Sequence, residues 1–185
     1  MELDILHALQ EIHGNVLDKI MLFITSLGNA GIVWILAAMS LIFVPAVGKE
    51  SKEHLKERRI AGIIVLLSLL LEFISVNLVI KNIVQRPRPF QVDASVIPLI
   101  MPGETSFPSG HTASSFAAAT AIFLYRKKAG IPALVLAGLI AFSRLYLFVH
   151  FPTDVLAGMV IGIVCGVVVN QLVKRKSNKE QYVKM

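Results

Sequence analysis

Apolar runs of about twenty residues recur along this chain, and they constrain its fold more than any other feature. Ile60–Ile80, for example, holds twenty-one residues and a single charged side chain, Glu72. Runs of this length match the hydrocarbon core of a bilayer, which is roughly 30 Å thick. Only 16% of the 185 residues are charged, against about 25% in soluble domains. An integral membrane protein is therefore expected.

Five membrane spans are predicted, and together they account for most of the sequence. In chain order they are Ile20–Val47, Ile60–Ile80, about His111–Tyr125, Ile131–Val149 and Val155–Val173. Gly28-Asn29 interrupts the first span, so a break is expected there and the count at this end is five or six. The predicted fold class is an all-α, polytopic membrane helical bundle that forms one domain over residues 1–185.

The first thirteen residues predict a short amphipathic helix that ends at Gly14. Ile5, Leu9 and Ile12 share one helical face, so this helix is expected to lie on the membrane surface. The segment lacks the basic start, continuous apolar core and cleavage site of a signal peptide. It is therefore expected to stay in the mature protein.

Three basic clusters separate the predicted spans, and they hold thirteen of the eighteen Lys and Arg residues. The clusters are Lys49, Lys52, Lys56, Arg58 and Arg59; Arg126, Lys127 and Lys128; and Lys174, Arg175, Lys176, Lys179 and Lys184. With five spans all three fall on one side of the membrane, which the positive-inside rule identifies as the cytoplasm. The C-terminus is expected there too, and no nucleic-acid partner is needed to explain the net charge. The one cysteine, Cys165, excludes a disulfide framework and is expected to pack in a span.

Four cations fall on the outer side or within a span: Lys81, Arg86, Arg88 and Arg144. Charge there is costly and calls for an anionic partner. The outer connection, Asn82–Pro108, contains five of the eight prolines. It is therefore expected to be irregular and to lie outside the hydrocarbon.

Two segments at this outer face predict phosphate binding. Arg88 lies seven residues after Lys81 and is fixed by Pro87 and Pro89, so two cations can hold phosphate oxygens. Ser109 and Gly110 open a helical run, and backbone amides at a helix N-terminus favour an anion. His111 then lies beside the bound group. A snorkelling lysine and a helix-capping serine are the structural alternatives.

A third segment predicts a nucleophile. Pro152 suits the first turn of the last span, which places Asp154 near His150. The carboxylate can hold one imidazole nitrogen while the other attacks phosphorus. Arg144 supplies a further cation to this site. The structural alternative for Arg144 is an ion pair with Glu72 inside the bundle.

Two polar residues precede Lys81 in the second span. Glu72 is nine residues away, or about 180° around an α-helix, so it is expected to face away from the site. Asn77 is one turn before Lys81 and is a candidate for orienting its ammonium group.

These segments resemble the signature of the type-2 phosphatidic acid phosphatase superfamily. The matching residues are Lys81, Arg88 and Pro89; Pro108 to His111; and Ser143, Arg144, His150 and Asp154. The resemblance covers residues 81–154. It implies a phosphohistidine on His150, oriented by Asp154, with His111 protonating the leaving oxygen and then activating water. It also implies phosphoryl binding by Lys81, Arg88, Ser109, Gly110 and Arg144, without metal or cofactor.

The resemblance further implies a lipid phosphatase of the cell membrane whose site faces outside. The expected substrate is a phospholipid or a polyprenyl phosphate. Undecaprenyl diphosphate is the first candidate, and phosphatidylglycerol phosphate and phosphatidate are the alternatives. A transporter or anion-binding protein is the alternative from another class. A metal hydrolase is disfavoured because the neighbouring cations would repel a divalent ion. The sequence leaves open the oligomeric state and the roles of Arg86, Asn77 and Glu72.

Overall fold

The computed structural model describes residues 1–44, 51–103 and 105–183, with side chains as far as Arg175. These residues form helices and no strand, which confirms the all-α class. The helices are α1 (Glu2–Gln10), α2 (Asn15–Leu27), α3 (Ile32–Phe43), α4 (Lys52–Phe73), α5 (Lys81–Val84), α6 (Pro89–Val92), α7 (Gly110–Tyr125), α8 (Lys127–Tyr146) and α9 (Pro152–Val183). The predicted span end at Val47 and the basic side chains of Lys49, Lys176, Lys179 and Lys184 lie outside what is described.

Several helices are long and apolar enough to cross a membrane. Within the described residues these are Lys52–Val92, Lys127–Tyr146 and Pro152–Arg175. The pair Asn15–Leu27 and Asn29–Phe43, bent by 48°, adds a fourth when it is counted as one span. Helix α7 takes the place of the predicted third span but has only 16 residues. Length and composition thus support three or four spans, and the count of five stays a prediction.

The first span is broken where the sequence predicts a break. A 3₁₀ turn, Asn29–Gly31, separates α2 from α3, and Ala30 and Gly31 adopt positive φ angles of 49° and 66°. Glycine takes this conformation without steric cost, whereas alanine does so rarely. The break leaves the side chain of Asn29 at the end of the bundle that carries the predicted site.

Helix α7 is the centre of the bundle and packs against α4, α8 and α9. Its small residues, including Ala113 and Ala117, are fully buried. The glycine stripe of α9, Gly158, Gly162 and Gly166, faces this helix, and a Cβ on Gly162 would lie 2.3 Å from the Ala113 carbonyl oxygen. The stripe therefore packs α9 against α7 within the bundle, because only glycine permits this backbone approach.

Replacing Gly162 with Ala should destabilise the protein by about 1–3 kcal/mol, since the new methyl group would push α9 away from α7. The measurement is thermal unfolding in detergent. Gly138→Ala on α8 is the matched control, because a Cβ there meets no atom within 4 Å. The control variant should unfold at or above the wild-type temperature. Equal unfolding temperatures for the two variants would contradict the packing.

Candidate active site

A cavity of about 660 Å³ brings the three signature segments together. It lies where the end of the second predicted span meets α7, α8 and the start of α9. Six of the eight predicted site residues line it: Lys81, Arg88, Gly110, His111, Arg144 and His150. The other two are completely buried: Ser109 directly precedes Gly110, and Asp154 lies four residues after His150.

His150 lies in the short connection between α8 and α9 and is 2% exposed. Its Nε2 atom is 3.2 Å from Nη1 of Arg88. Because a guanidinium group only donates hydrogen bonds, Nε2 is the acceptor and the proton resides on Nδ1. Burial lowers the pKa of His150 below its ordinary value; Asp154 opposes this, and Arg144 and Arg88 reinforce it. The imidazole is therefore neutral at pH 7, with the lone pair of Nε2 beside a cation of the cavity wall.

Asp154 lies in the first turn of α9, which begins at Pro152 as predicted. Its Oδ1 atom accepts a hydrogen bond of 2.7 Å from Nη1 of Arg86. Its Oδ2 atom accepts from the Phe151 backbone N–H at 2.8 Å and from the Ser106 hydroxyl. The same Oδ2 is 3.7 Å from Nδ1 of His150, which is longer than a hydrogen bond. Catalytic hydrogen bonds are often long before substrate binds, so the carboxylate is placed to hold the imidazole.

Two guanidinium groups are buried beside the cavity. Arg88 donates from Nη1 to the Val149 carbonyl oxygen at 2.8 Å. Arg144 donates from Nη1 to the Thr25 hydroxyl at 2.6 Å, and its buried Nε has no hydrogen-bond partner among the described residues. The ion pair between Arg144 and Glu72 that the sequence left open is not formed; Arg144 contacts Thr25 instead. A buried N–H left unsatisfied costs about 1–3 kcal/mol, which an anion in the cavity can recover.

The start of α7 supplies His111 and Ser109. His111 places Nε2 at 2.9 Å from Oδ1 of Asn29, in the break of the first span. Ser109 donates its backbone N–H to the Asp154 carbonyl oxygen at 3.0 Å and accepts from the Thr112 hydroxyl at 2.9 Å. The Ser109 amide is thus occupied within the protein, and phosphate binding by Ser109 stays a prediction.

The prediction that Glu72 faces away from the site is wrong, because Glu72 lines the same cavity as Lys81. Residues Ile74–Ile80 form a π-helix between the two side chains. A π-helical turn accommodates one extra residue, which shifts the register by about 100° relative to a continuous α-helix. Glu72 is 3% exposed, and its Oε1 has no hydrogen-bond partner among the described residues.

Asn77 and Lys81 are neighbours, as an orienting role for Asn77 requires. The Asn77 amide oxygen and the Lys81 Nζ each lie 3.7 Å from the point that a Cβ on Gly110 would occupy. Glycine at this position leaves room for both groups beside the N-terminus of α7.

Several contacts of the site were missed by reasoning from the sequence. Thr25 gave no signal because it is one polar residue in an apolar helix. Asn29 was noted only as a break, and Ser106 only as part of an irregular connection. Arg86 was expected to need an anionic partner but its role was left open, and the structure pairs it with Asp154. All four depend on approaches between segments that are far apart in the chain.

A buried histidine, a second histidine and several cations surround one cavity of an apolar helical bundle, which is an arrangement suited to binding a phosphoryl group. The profile of the PAP2 superfamily matches residues 61–178, so the chain belongs to the PAP2 superfamily. The earlier resemblance to type-2 phosphatidic acid phosphatases is thereby confirmed.

Individual relatives agree with this family. Undecaprenyl-diphosphatase BcrC of Bacillus subtilis is 32% identical over 156 residues, which cover 83% of this chain and 74% of the relative. The crystal structure of Aquifex aeolicus LpxE superposes with a TM-score of 0.74 and 29% identity, covering 92% of this chain and 94% of that one. The PAP2-type phosphatidylglycerolphosphate phosphatase of Bacillus subtilis superposes with a TM-score of 0.72 and 25% identity, covering 93% and 84%.

Thr25→Val should weaken the site, because it removes the acceptor of Arg144 while it preserves the shape of the side chain. Thr25 is 5% exposed, so Nη1 of Arg144 would lose its partner in a dry environment, at a cost of about 1–3 kcal/mol. We expect a lower unfolding temperature and weaker inhibition by vanadate, a phosphate analogue. Thr25→Ser keeps the hydroxyl and should resemble the wild type. A Val variant with wild-type stability and vanadate affinity would contradict this role.

Proposed function

We propose that this protein hydrolyses a lipid-linked phosphate at the outer face of the cell membrane through a phosphohistidine on His150. The substrate we propose is undecaprenyl diphosphate, which would yield undecaprenyl phosphate and inorganic phosphate. The observation that carries the proposal is the position of the buried His150, whose Nε2 lies 3.2 Å from Arg88 at the wall of a cavity that Lys81 and Arg144 also line.

The reaction has two steps. In the first, Nε2 of His150 attacks the terminal phosphorus, the bond from phosphorus to the leaving oxygen breaks, and His111 transfers a proton to that oxygen and becomes neutral. In the second, His111 takes a proton from water, the oxygen attacks phosphorus, and the N–P bond breaks to release phosphate. Asp154 stabilises the imidazolium character that develops on His150. Lys81, Arg88 and Arg144 stabilise the charge on the transferred group.

These cations also support catalysis without a metal. Positive charge next to the transferred group is what a divalent ion supplies in other phosphatases. Three positively charged side chains already line this cavity. Within the described residues, no cluster of three or more His, Cys, Asp or Glu side chains is placed as metal ligands would be.

The other wall of the cavity supports a lipid substrate. It is formed by apolar residues of α3 and α4: Ile35, Leu66, Leu69, Leu70 and Phe73. Leu70 and Phe73 are about half exposed at the outside of the bundle, where lipid chains would surround them. A phosphate can therefore meet the cations while its hydrocarbon chain remains against an apolar surface.

The connectivity of the helices supports five crossings with the site outside. Helices α7, α8 and α9 each have a site residue at or near one end and basic residues at the other, and the helical run from α4 to α5 has basic residues at its start and Lys81 near its end. All described basic clusters are thus at the end opposite the cavity, which the positive-inside rule assigns to the cytoplasm. We count α7 as a span despite its length, because α4, α8 and α9 surround it. The bent pair α2 and α3 supplies the remaining crossing.

Phosphate release from three lipids tests the function directly. Purified protein in excess chelator should release phosphate from undecaprenyl diphosphate faster than from phosphatidylglycerol phosphate or phosphatidate. His150→Ala should abolish release, and His54→Ala, at the opposite end of the bundle, should have no effect. Release by the His150 variant, or from none of the lipids, would contradict the proposal. Activity that chelator removes and one divalent ion restores would instead favour a metal hydrolase.

A faster rate with phosphatidylglycerol phosphate would identify the second candidate substrate. That candidate is favoured by the superposition with the Bacillus subtilis phosphatidylglycerolphosphate phosphatase. The proposed chemistry at His150 would be the same.

His111→Ala should affect the two kinds of substrate unequally. A monoester such as phosphatidate leaves as a strongly basic alkoxide, whereas a diphosphate leaves as a weakly basic phosphate. General acid catalysis is worth about 10²–10⁴ in rate, so the variant should slow the first step much more for the monoester. The measurement is the pre-steady-state burst of leaving-group release, since dephosphorylation is common to both. Equal losses in the two bursts would mean that His111 only positions the phosphate.

A further inference from the structure

Arg86 lies outside the family signature, yet it contacts the buried carboxylate next to the proposed nucleophile. Its Nη1 donates to Oδ1 of Asp154 at 2.7 Å and to the Thr153 hydroxyl at 2.7 Å. Its guanidinium carbon lies 3.9 Å from the centre of the Phe151 ring. Planar stacking and two fixed donors make this a geometry that arginine can satisfy and lysine cannot.

The same guanidinium group reaches the N-terminal helix. Its Nη2 donates to Oε2 of Glu2 at 2.7 Å. The other oxygen of Glu2 accepts from the backbone N–H of Thr153 at 3.1 Å and from its hydroxyl at 2.7 Å. Glu2 thus holds both Arg86 and the first turn of α9. Burial acts to raise the pKa of Glu2, but the hydrogen bonds from Thr153 and Arg86 outweigh it and the pKa lies below its ordinary value.

Helix α1 is fixed at several points, so the position of Glu2 is defined. Leu6 is fully buried against Phe148 and Phe151. Nε2 of His7 lies 2.7 Å from Oδ2 of Asp93. Hydrogen bonds from the Ser95 hydroxyl and N–H, and from His7, hold the pKa of Asp93 at about 2, so this partner stays ionised. Ile5 of α1 and Ile12, just beyond its end, remain about half exposed.

We propose that Arg86 and Glu2 are positioning residues, which form a relay from α1 through Arg86 to Asp154 and set the orientation and proton affinity of His150. The inference rests on the proposed function in taking His150 as the nucleophile. Arg86 holds Oδ1 of Asp154, so that Oδ2, which also accepts from Ser106 and the Phe151 N–H, faces Nδ1 of His150 at 3.7 Å. Its charge also offsets part of the negative charge that His150 experiences, and Glu2 in turn offsets part of the charge of Arg86.

The relay predicts opposite effects for two neutral variants. Other charged or titratable groups around His150 and its cavity are Asp154 from α9, His111 from α7, Arg144 from α8, Glu72 from α4, and Arg88 and Lys81 from the first signature segment. None of them changes in either variant. Arg86→Gln removes a positive charge near Asp154, so the pKa of His150 should rise by about one unit. Glu2→Gln removes a negative charge, so the pKa should fall by about half a unit.

Nitrogen-15 NMR of histidine-labelled protein in detergent measures these shifts without reference to activity. The chain has five histidines, and His150→Ala identifies the signal of His150. Lys127→Gln, an exposed charge at the opposite end of α8, is the control and should leave the pKa of His150 unchanged. Shifts of opposite sign for Arg86→Gln and Glu2→Gln support the relay. Shifts of the same sign, or no shift in either variant, overturn the relay. If the Arg86 variant does not fold, the pKa of His150 in Glu2→Gln alone decides between these outcomes.

Kinetics then separate charge from geometry. Arg86→Lys keeps the charge but not the paired donors, so kcat should fall by about 10- to 100-fold with the acid limb of the kcat/KM profile near its wild-type position. In Arg86→Gln the acid limb should move to higher pH, because His150 must be neutral to attack. Wild-type kcat in Arg86→Lys would overturn the positioning role. Should the wild type release phosphate from no lipid, the proposed function fails, while the NMR titration still decides on the relay.

Discussion

Asp154 is the residue on which the site depends, because its carboxylate and its backbone carbonyl together contact all three signature segments. It accepts from Arg86 of the first segment, from Ser106 just before the second, and from the Phe151 backbone in the third. Its backbone carbonyl accepts from the N–H of Ser109. A fully buried charge is tolerated only when it is paired and hydrogen-bonded. Satisfying this one carboxylate therefore brings together segments that are up to 68 residues apart.

The rest of the bundle can be understood as the support for this arrangement. The glycine stripe of α9 lets it approach the backbone of α7, which fixes the start of α9 against the start of α7. His150 and His111 stand at these two starts. The break in the first span adds Asn29 beside His111, and α2 adds Thr25 beside Arg144. Small residues thus permit close contacts between helices, and these contacts allow polar residues at the helix ends to form hydrogen bonds with one another.

Much of the fold and of the candidate site was predictable, because membrane spans and catalytic motifs are each formed by residues close together in the sequence. The long apolar runs, the break at Gly28-Asn29, the start of α9 at Pro152 and the grouping of the cations follow from composition and spacing. The side of the helix on which Glu72 lies could not be predicted from the sequence. A π-helix changes the helical register between Glu72 and Lys81, and no residue type marks it. The partners Thr25 and Glu2 also could not be predicted, because each depends on the packing of a helix distant in sequence.

The phosphoenzyme itself offers the most direct test of the central claim. Protein mixed with undecaprenyl diphosphate labelled at its terminal phosphate would be quenched within one turnover and digested to peptides. We expect acid-labile, alkali-stable label on the peptide that contains His150, and none in His150→Ala. Label on another residue, or full turnover by the wild type with no labelled protein at any quench time, would contradict a phosphohistidine at His150.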